Sequence, residues 1–183
     1  MYNLKKGSLL ISEPSLTENT FFKSVILVLH HCTEESIGII LNQPTKVKLN
    51  EIFNELPVKN LPVYIGGPVE KNSIQFIHTL GELIPNNKKI SEGLYWGGDF
   101  ETIVQLMSEN KISRNQIRFF AGYAGWHENQ LESEVRENNW IIHNHEPKIC
   151  MKYSNEKLWS TLIKTKQKKY AIWANMPKDP SLN

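Results

Sequence analysis

The seven residues Val25-Ile26-Leu27-Val28-Leu29-His30-His31 restrict the fold more than any other stretch of the chain. A near-continuous run of β-branched residues and leucine at strand length reads as a strand covered on both faces. It is far short of the roughly 18 apolar residues that a membrane span needs. Ile37 to Leu41 follows after the polar turn Thr33-Glu34-Glu35-Ser36, and so reads as its antiparallel hairpin partner. Asn42-Gln43-Pro44 is then expected to stop the pairing, because proline has no N–H to donate. The chain must therefore build a sheet and find cover for both of its sides.

Further strands are expected at Ser8–Ser12, Val63–Ile65, Ser73–Leu80, Ile90–Trp96, Ile117–Gly122, Trp140–His143 and Tyr170–Ala174. Helices supply the cover. Leu49, Ile52, Phe53 and Leu56 repeat at i, i+3, i+4 and i+7, as do Phe100, Ile103, Val104 and Met107 behind the N-cap Asp99. A helix from about His127 to Glu137 buries Leu131 and Val135, with Glu132 and Arg136 spaced to pair on its outer side. Another, Ser154 to Ile163, is anchored by Leu158, Trp159 and Leu162. The early strands run consecutively instead of alternating with helices, which argues for an α+β fold with much antiparallel pairing.

At 183 residues and 40% apolar content the chain fits one domain spanning 1–183, with 176–183 as a loose tail. The apolar run Leu9-Leu10-Ile11 is broken by Ser12-Glu13-Pro14, too short for a signal peptide, so a cytoplasmic, membrane-free protein is expected. Cys32 and Cys150 form no CxxC pair and read as free thiols. The net charge is +2, but from Lys148 onward eight lysines face Glu156 and Asp179, so that end carries +6 and residues 1–147 carry −4. Lysines in the run Lys164-Thr165-Lys166-Gln167-Lys168-Lys169 could meet phosphates. No arginine or aromatic ring is interleaved there, so a solvated face is the better reading.

Chemistry is most concentrated at Gly122-Tyr123-Ala124-Gly125-Trp126, read as a strand end entering a helix. Glycines there permit positive φ and close approach of a backbone or ligand, and the helix N-terminus that follows could take an anion or a carbonyl oxygen. Gln130 and Glu134, four apart, project from one helix face. Gly66-Gly67-Pro68 and Asn42-Gln43-Pro44 also follow strands. The candidate ligand-binding cleft is thus Asn42, Gly66, Gly67, Tyr123, Trp126, Gln130 and Glu134. The competing reading makes the rings core and the glycines spacers.

His30 with Cys32, and His143 with His145, would share strand faces, yet neither pair has the further ligands that zinc requires. No metal and no cofactor is expected. Phosphate-loop, dinucleotide and GxSxG motifs are missing from the sequence, and no catalytic residue can be named.

Five segments, in order, resemble the YqgE/AlgH family of bacterial proteins. Gly7–Ser12 is similar to its opening strand and Phe22–Val28 to its second. Ser36–Pro44 resembles its G-hydrophobic-N-x-P segment, Tyr64–Val69 its GGPV segment, and Gly122–Trp126 with Gln130-Leu131-Glu132 its most distinctive motif. The family usually has glycine where this chain has Asn129, a residue that tolerates the left-handed conformation. His127 and Glu128 replace small residues.

The resemblance implies a single α+β domain whose split, mixed, largely antiparallel sheet folds into a partial barrel flanked by helices. It also implies a transcriptional regulator, a label inherited from a member linked to alginate control. No helix-turn-helix pattern is present, so the expected route is a small ligand or a protein partner, not direct contact with nucleic acid. The alternative is a hydrolase or group-transfer enzyme working in a cleft at Gly122–Glu134, with Glu134 or a histidine as base.

Overall fold

A computed structural model describes residues 4–14, 20–54, 56, 60–144, 148–152 and 157–166. The expected strand at Tyr170–Ala174 and the expected loose tail lie outside them. Among the described residues the strands are β1 (Leu9–Ser12), β2 (Val25–His31), β3 (Glu35–Ile40), β4 (Pro44–Lys48), β5 (Pro62–Ile65), β6 (Val69–His78), β7 (Lys88–Ser91), β8 (Leu94–Trp96), β9 (Ile117–His127) and β10 (Trp140–His143). The helices are α1 (Leu49–Ile52), α2 (Phe100–Ser108), α3 (Gln130–Arg136), α4 (Lys148–Lys152) and α5 (Lys157–Lys164).

The sheet runs β10-β1-β2-β3-β9-β6-β8-β7, with β4 and β5 off this path, and does not close. Its pairings are antiparallel except β5 with β9, which is parallel. The fold is α+β, a partial barrel split in two and joined through β9. The first half of β9 pairs with β5 and β6, and its second half with β3.

Every residue of Val25–Leu29 is buried, as a doubly covered strand requires. The alternation of β2 sends Val25, Leu27 and Leu29 into one core and Ile26 and Val28 into another. On the first side lie Leu158, Trp159, Leu162 and Ile163 of α5, with the Trp159 indole donating to the Ser12 carbonyl at 2.9 Å. On the second lie Leu131 and Val135 of α3 with Trp126 and Trp140. A third core forms under α2, where Ile103 and Met107 meet Phe76, Ile117 and Phe119. The Asp99 carboxylate caps α2 by accepting from the Thr102 amide at 2.8 Å, as the sequence indicates.

Several expected boundaries move. Pro44 opens β4 instead of ending pairing, because its position opposite Tyr64 demands no N–H at an edge. The expected strand at Ile90–Trp96 is a hairpin, β7 and β8, turned at Gly93 with φ +69. The helix expected over Leu49–Leu56 keeps one turn, with Leu49 buried and Ile52 exposed. Helix α4 was not anticipated. The largest change concerns β9, which runs eleven residues straight through Gly122 and Gly125 to His127.

Candidate functional site

Gly122 reads as a strand end but is a crossing point. Its φ is +69, and a Cβ there would lie 2.6 Å from the Val69 carbonyl oxygen, where β6 slips register between Val69 and Ile74. A Cβ on Gly66 would lie 2.1 Å from the Gly122 oxygen, and one on Gly67 2.1 Å from the Tyr123 carbonyl. Only hydrogen fits between these backbones. The Gly66 amide donates to the Ala121 carbonyl and the Ile40 amide to the Gly66 carbonyl, each at 2.8 Å, so this short segment ties β3 to β9.

Asn42 is buried beside the same crossing. Its Oδ1 accepts from the Val25 amide and its Nδ2 donates to the Lys23 carbonyl, each at 2.8 Å, which fixes the entry to β2. The Gly66-Gly67 and Gly122 turns thus cross backbone against backbone, and the Asn42 turn adjoins them where the Ile65 amide donates to the Gln43 carbonyl at 2.9 Å. Tyr123 is half-buried on the face of β9 that packs toward the α5 core. Its hydroxyl is held above its ordinary pKa by loss of water contact, then by the nearby carboxylates of Glu70 and Glu35.

Trp126, Gln130 and Glu134 gather farther along, about 10 Å on at roughly 3.3 Å per strand residue. Asn129 takes φ +57 and turns the chain from β9 into α3, the left-handed conformation that asparagine tolerates. Glu134 Oε2 accepts from the indole N–H of Trp126 at 2.9 Å and from that of Trp140 at 2.7 Å. Glu134 Oε1 accepts from Gln130 Nε2 at 2.9 Å, while Gln130 Oε1 accepts from the His127 amide at 3.1 Å. The Phe21 ring packs on both indoles, at 6.4 and 5.4 Å between centroids. Trp140 is the partner the sequence reading missed, since β10 reaches the site only by pairing with β1.

A second polar line runs beside it. His31 Nδ1 lies 2.8 Å from Ser36 Oγ, and His31 Nε2 lies 3.6 Å from Glu132 Oε1. Glu132 thus faces His31, where Arg136 was the expected partner. Ser36 is 3% exposed, opposite Trp126 in the β3–β9 register. Among the described residues no group of three or more His, Cys, Asp or Glu side chains is placed to hold a metal, and no helix is long and apolar enough to cross a membrane.

Two cavities open elsewhere. One of about 500 Å³ lies between Phe53, Leu56, Phe100 and Val104. The other, about 150 Å³, is lined by Tyr64, Arg114 and Arg118 among others. None of the seven expected site residues lines either one.

Fold and site together define a class: α+β domains whose two half-sheets are pinned by a glycine crossing on one shared strand, with a tryptophan–carboxylate cluster at its end. The chain belongs to the AlgH-like family, whose model matches residues 9–171. It is 38% identical over 179 residues to a UPF0301 protein of Bacteroides fragilis, covering 97% of this chain and 91% of that one. It is 36% identical over 180 residues to a UPF0301 protein of Chlorobium luteolum, covering 98% and 95%. The solution structure of the AlgH protein from Pseudomonas aeruginosa superposes with a TM-score of 0.73 at 21% identity, over 97% of this chain and 99% of that one. Protein DIP2367 from Corynebacterium diphtheriae gives 0.74 at 22%, over 96% and 95%. The likeness to these two structures establishes the shared fold.

Proposed function

We propose that this chain is a cytoplasmic regulatory protein that works through a small ligand or a protein partner instead of touching DNA itself. Its binding surface is the outer side of the second half of β9 and the start of α3. Tyr123, His127 and Gln130 form the accessible part, and Asn42, Gly66, Gly67, Trp126 and Glu134 hold it in place. The observation that carries this reading is the state of Glu134. Both carboxylate oxygens are occupied by N–H donors from Trp126, Trp140 and Gln130, so the one carboxylate aimed into the cluster serves as scaffold. What stays accessible is a polar recognition surface without a poised base.

The test is complementation of a deletion strain with a His127→Ala variant, an exposed position whose side chain takes no part in the Glu134 network. The variant is expected to melt like the wild type and fail to restore the transcript profile, while the purified wild-type chain leaves DNA unshifted at low salt. Full restoration, or a salt-sensitive DNA shift by the wild type, overturns the reading.

The hydrolase reading is favoured by one observation, the Ser36–His31–Glu132 line. At 3% exposure Ser36 gives an acyl group no approach. A fluorophosphonate probe is expected to leave Ser36 unlabelled, and labelling there would restore that alternative.

A further inference from the structure

Arg118 sits between Ile117 and Phe119-Phe120 in β9 and is 6% exposed. Its guanidinium carries five N–H donors. Nη1 donates to the Cys150 carbonyl and Nη2 to the Leu41 carbonyl at 2.7 Å. The rings of Tyr64 and Phe120 lie 4.4 and 5.0 Å from its Cζ. The Nε–H, closed off from solvent, has no acceptor among the described residues. Among the described residues no carboxylate forms an ion pair with it. A buried cation balanced only by carbonyl dipoles and ring faces is half of an ion pair.

The same residue lines the cavity of about 150 Å³, whose walls include Leu61, Tyr64 and Met151 and whose exposed lining includes Arg114 and Asn115. At roughly 30 Å³ per water molecule this is room for about five waters, or for a molecule of a few heavy atoms.

We propose that this cavity is a binding site for a small carboxylate, whose head group meets the Arg118 guanidinium at the cavity wall and whose short apolar stem lies against Leu61, Tyr64 and Met151. The edge of a guanidinium presents parallel N–H donors that match the two oxygens of one carboxylate. A single negative charge completes the single buried positive one. Inorganic phosphate has no stem to set against the apolar walls. The site lies along the first half of β9 and stands independently of the partner-binding surface proposed above.

The chain has three arginines, so a ¹⁵N-labelled sample gives few Nε–H signals, and loss of one in Arg118→Lys assigns it. Titration of the wild type with propionate, at constant ionic strength, is expected to move the Arg118 Nε–H signal saturably, in the millimolar range that a ligand of few atoms allows. Sodium chloride leaves it in place. Asn115→Asp, an exposed change that sets a like charge near the ligand, is expected to weaken the apparent affinity about tenfold. An unmoved signal, or an equal response to chloride, overturns the site. A response to phosphate without one to propionate overturns the assignment to carboxylates.

Discussion

Glu134 and Arg118 are both charged side chains set among aromatic rings, eight residues of β9 apart from Trp126 to Arg118, and their partners are distributed differently. Glu134 receives three side-chain N–H groups, two of them from indoles whose rings are buried. Arg118 holds two carbonyls and two ring faces, yet its Nε has no partner and its charge no counter-ion among the described residues. A network whose donors and acceptors are all matched fixes a fold. A network with a donor left over has something to gain from a ligand.

Glu134→Ala should have the largest effect on this contrast. It strands two indole N–H groups at about 1–3 kcal/mol each, so urea unfolding is expected to show a loss of about 2–6 kcal/mol. A loss below about 1 kcal/mol would mean that Glu134 is no scaffold and is free for other work. Arg118→Met should cost less, because the carbonyls of Cys150 and Leu41 that it strands are offset by removal of a buried charge that has no counter-ion among the described residues. A loss larger than that of Glu134→Ala would erase the difference.

His78 sharpens the comparison with a third buried group, one matched at both nitrogens. Nε2 meets the Gly97 carbonyl at 3.0 Å and Nδ1 accepts from the Leu80 amide at 3.2 Å, which sets the neutral tautomer. Burial lowers its pKa below the ordinary 6.5, against a smaller opposing pull from the Gly97 carbonyl. The unfolded chain therefore takes up the proton first. The contribution of His78 is intact above 6.5 and is lost as pH falls from there through the lower folded value. Melting temperature should decline on acidification below 6.5, and less so in His78→Gln; identical pH profiles for the two proteins would show that His78 is not matched as described.

The parts legible in the sequence are those with a local cause. The β2–β3 hairpin follows from an apolar run and a short polar turn, α2 from Asp99 and a helical stripe, and the αL turn at Asn129 from side-chain chemistry. Gly122 misled because a glycine in an apolar run looks the same whether it breaks a strand or lets another backbone cross it. The difference lies in Gly66, Gly67 and Val69, more than fifty residues earlier. Likewise Gln130 and Glu134 were identified as neighbours from their spacing, while Trp140 needed the β1–β10 pairing to reach them. Arg118 left one local trace, a lone cation flanked by Ile117 and Phe119 in a core strand.

The crossing of Gly66 and Gly67 over Gly122 and Tyr123 also bears on how the domain can move. Two side chains in contact can exchange rotamers and let one layer slide over the other, but peptide groups separated only by hydrogen atoms have no such play. The seam thus acts as a rivet in a folded plate. The half-sheets built on the two ends of β9 are thereby held at one fixed orientation to each other.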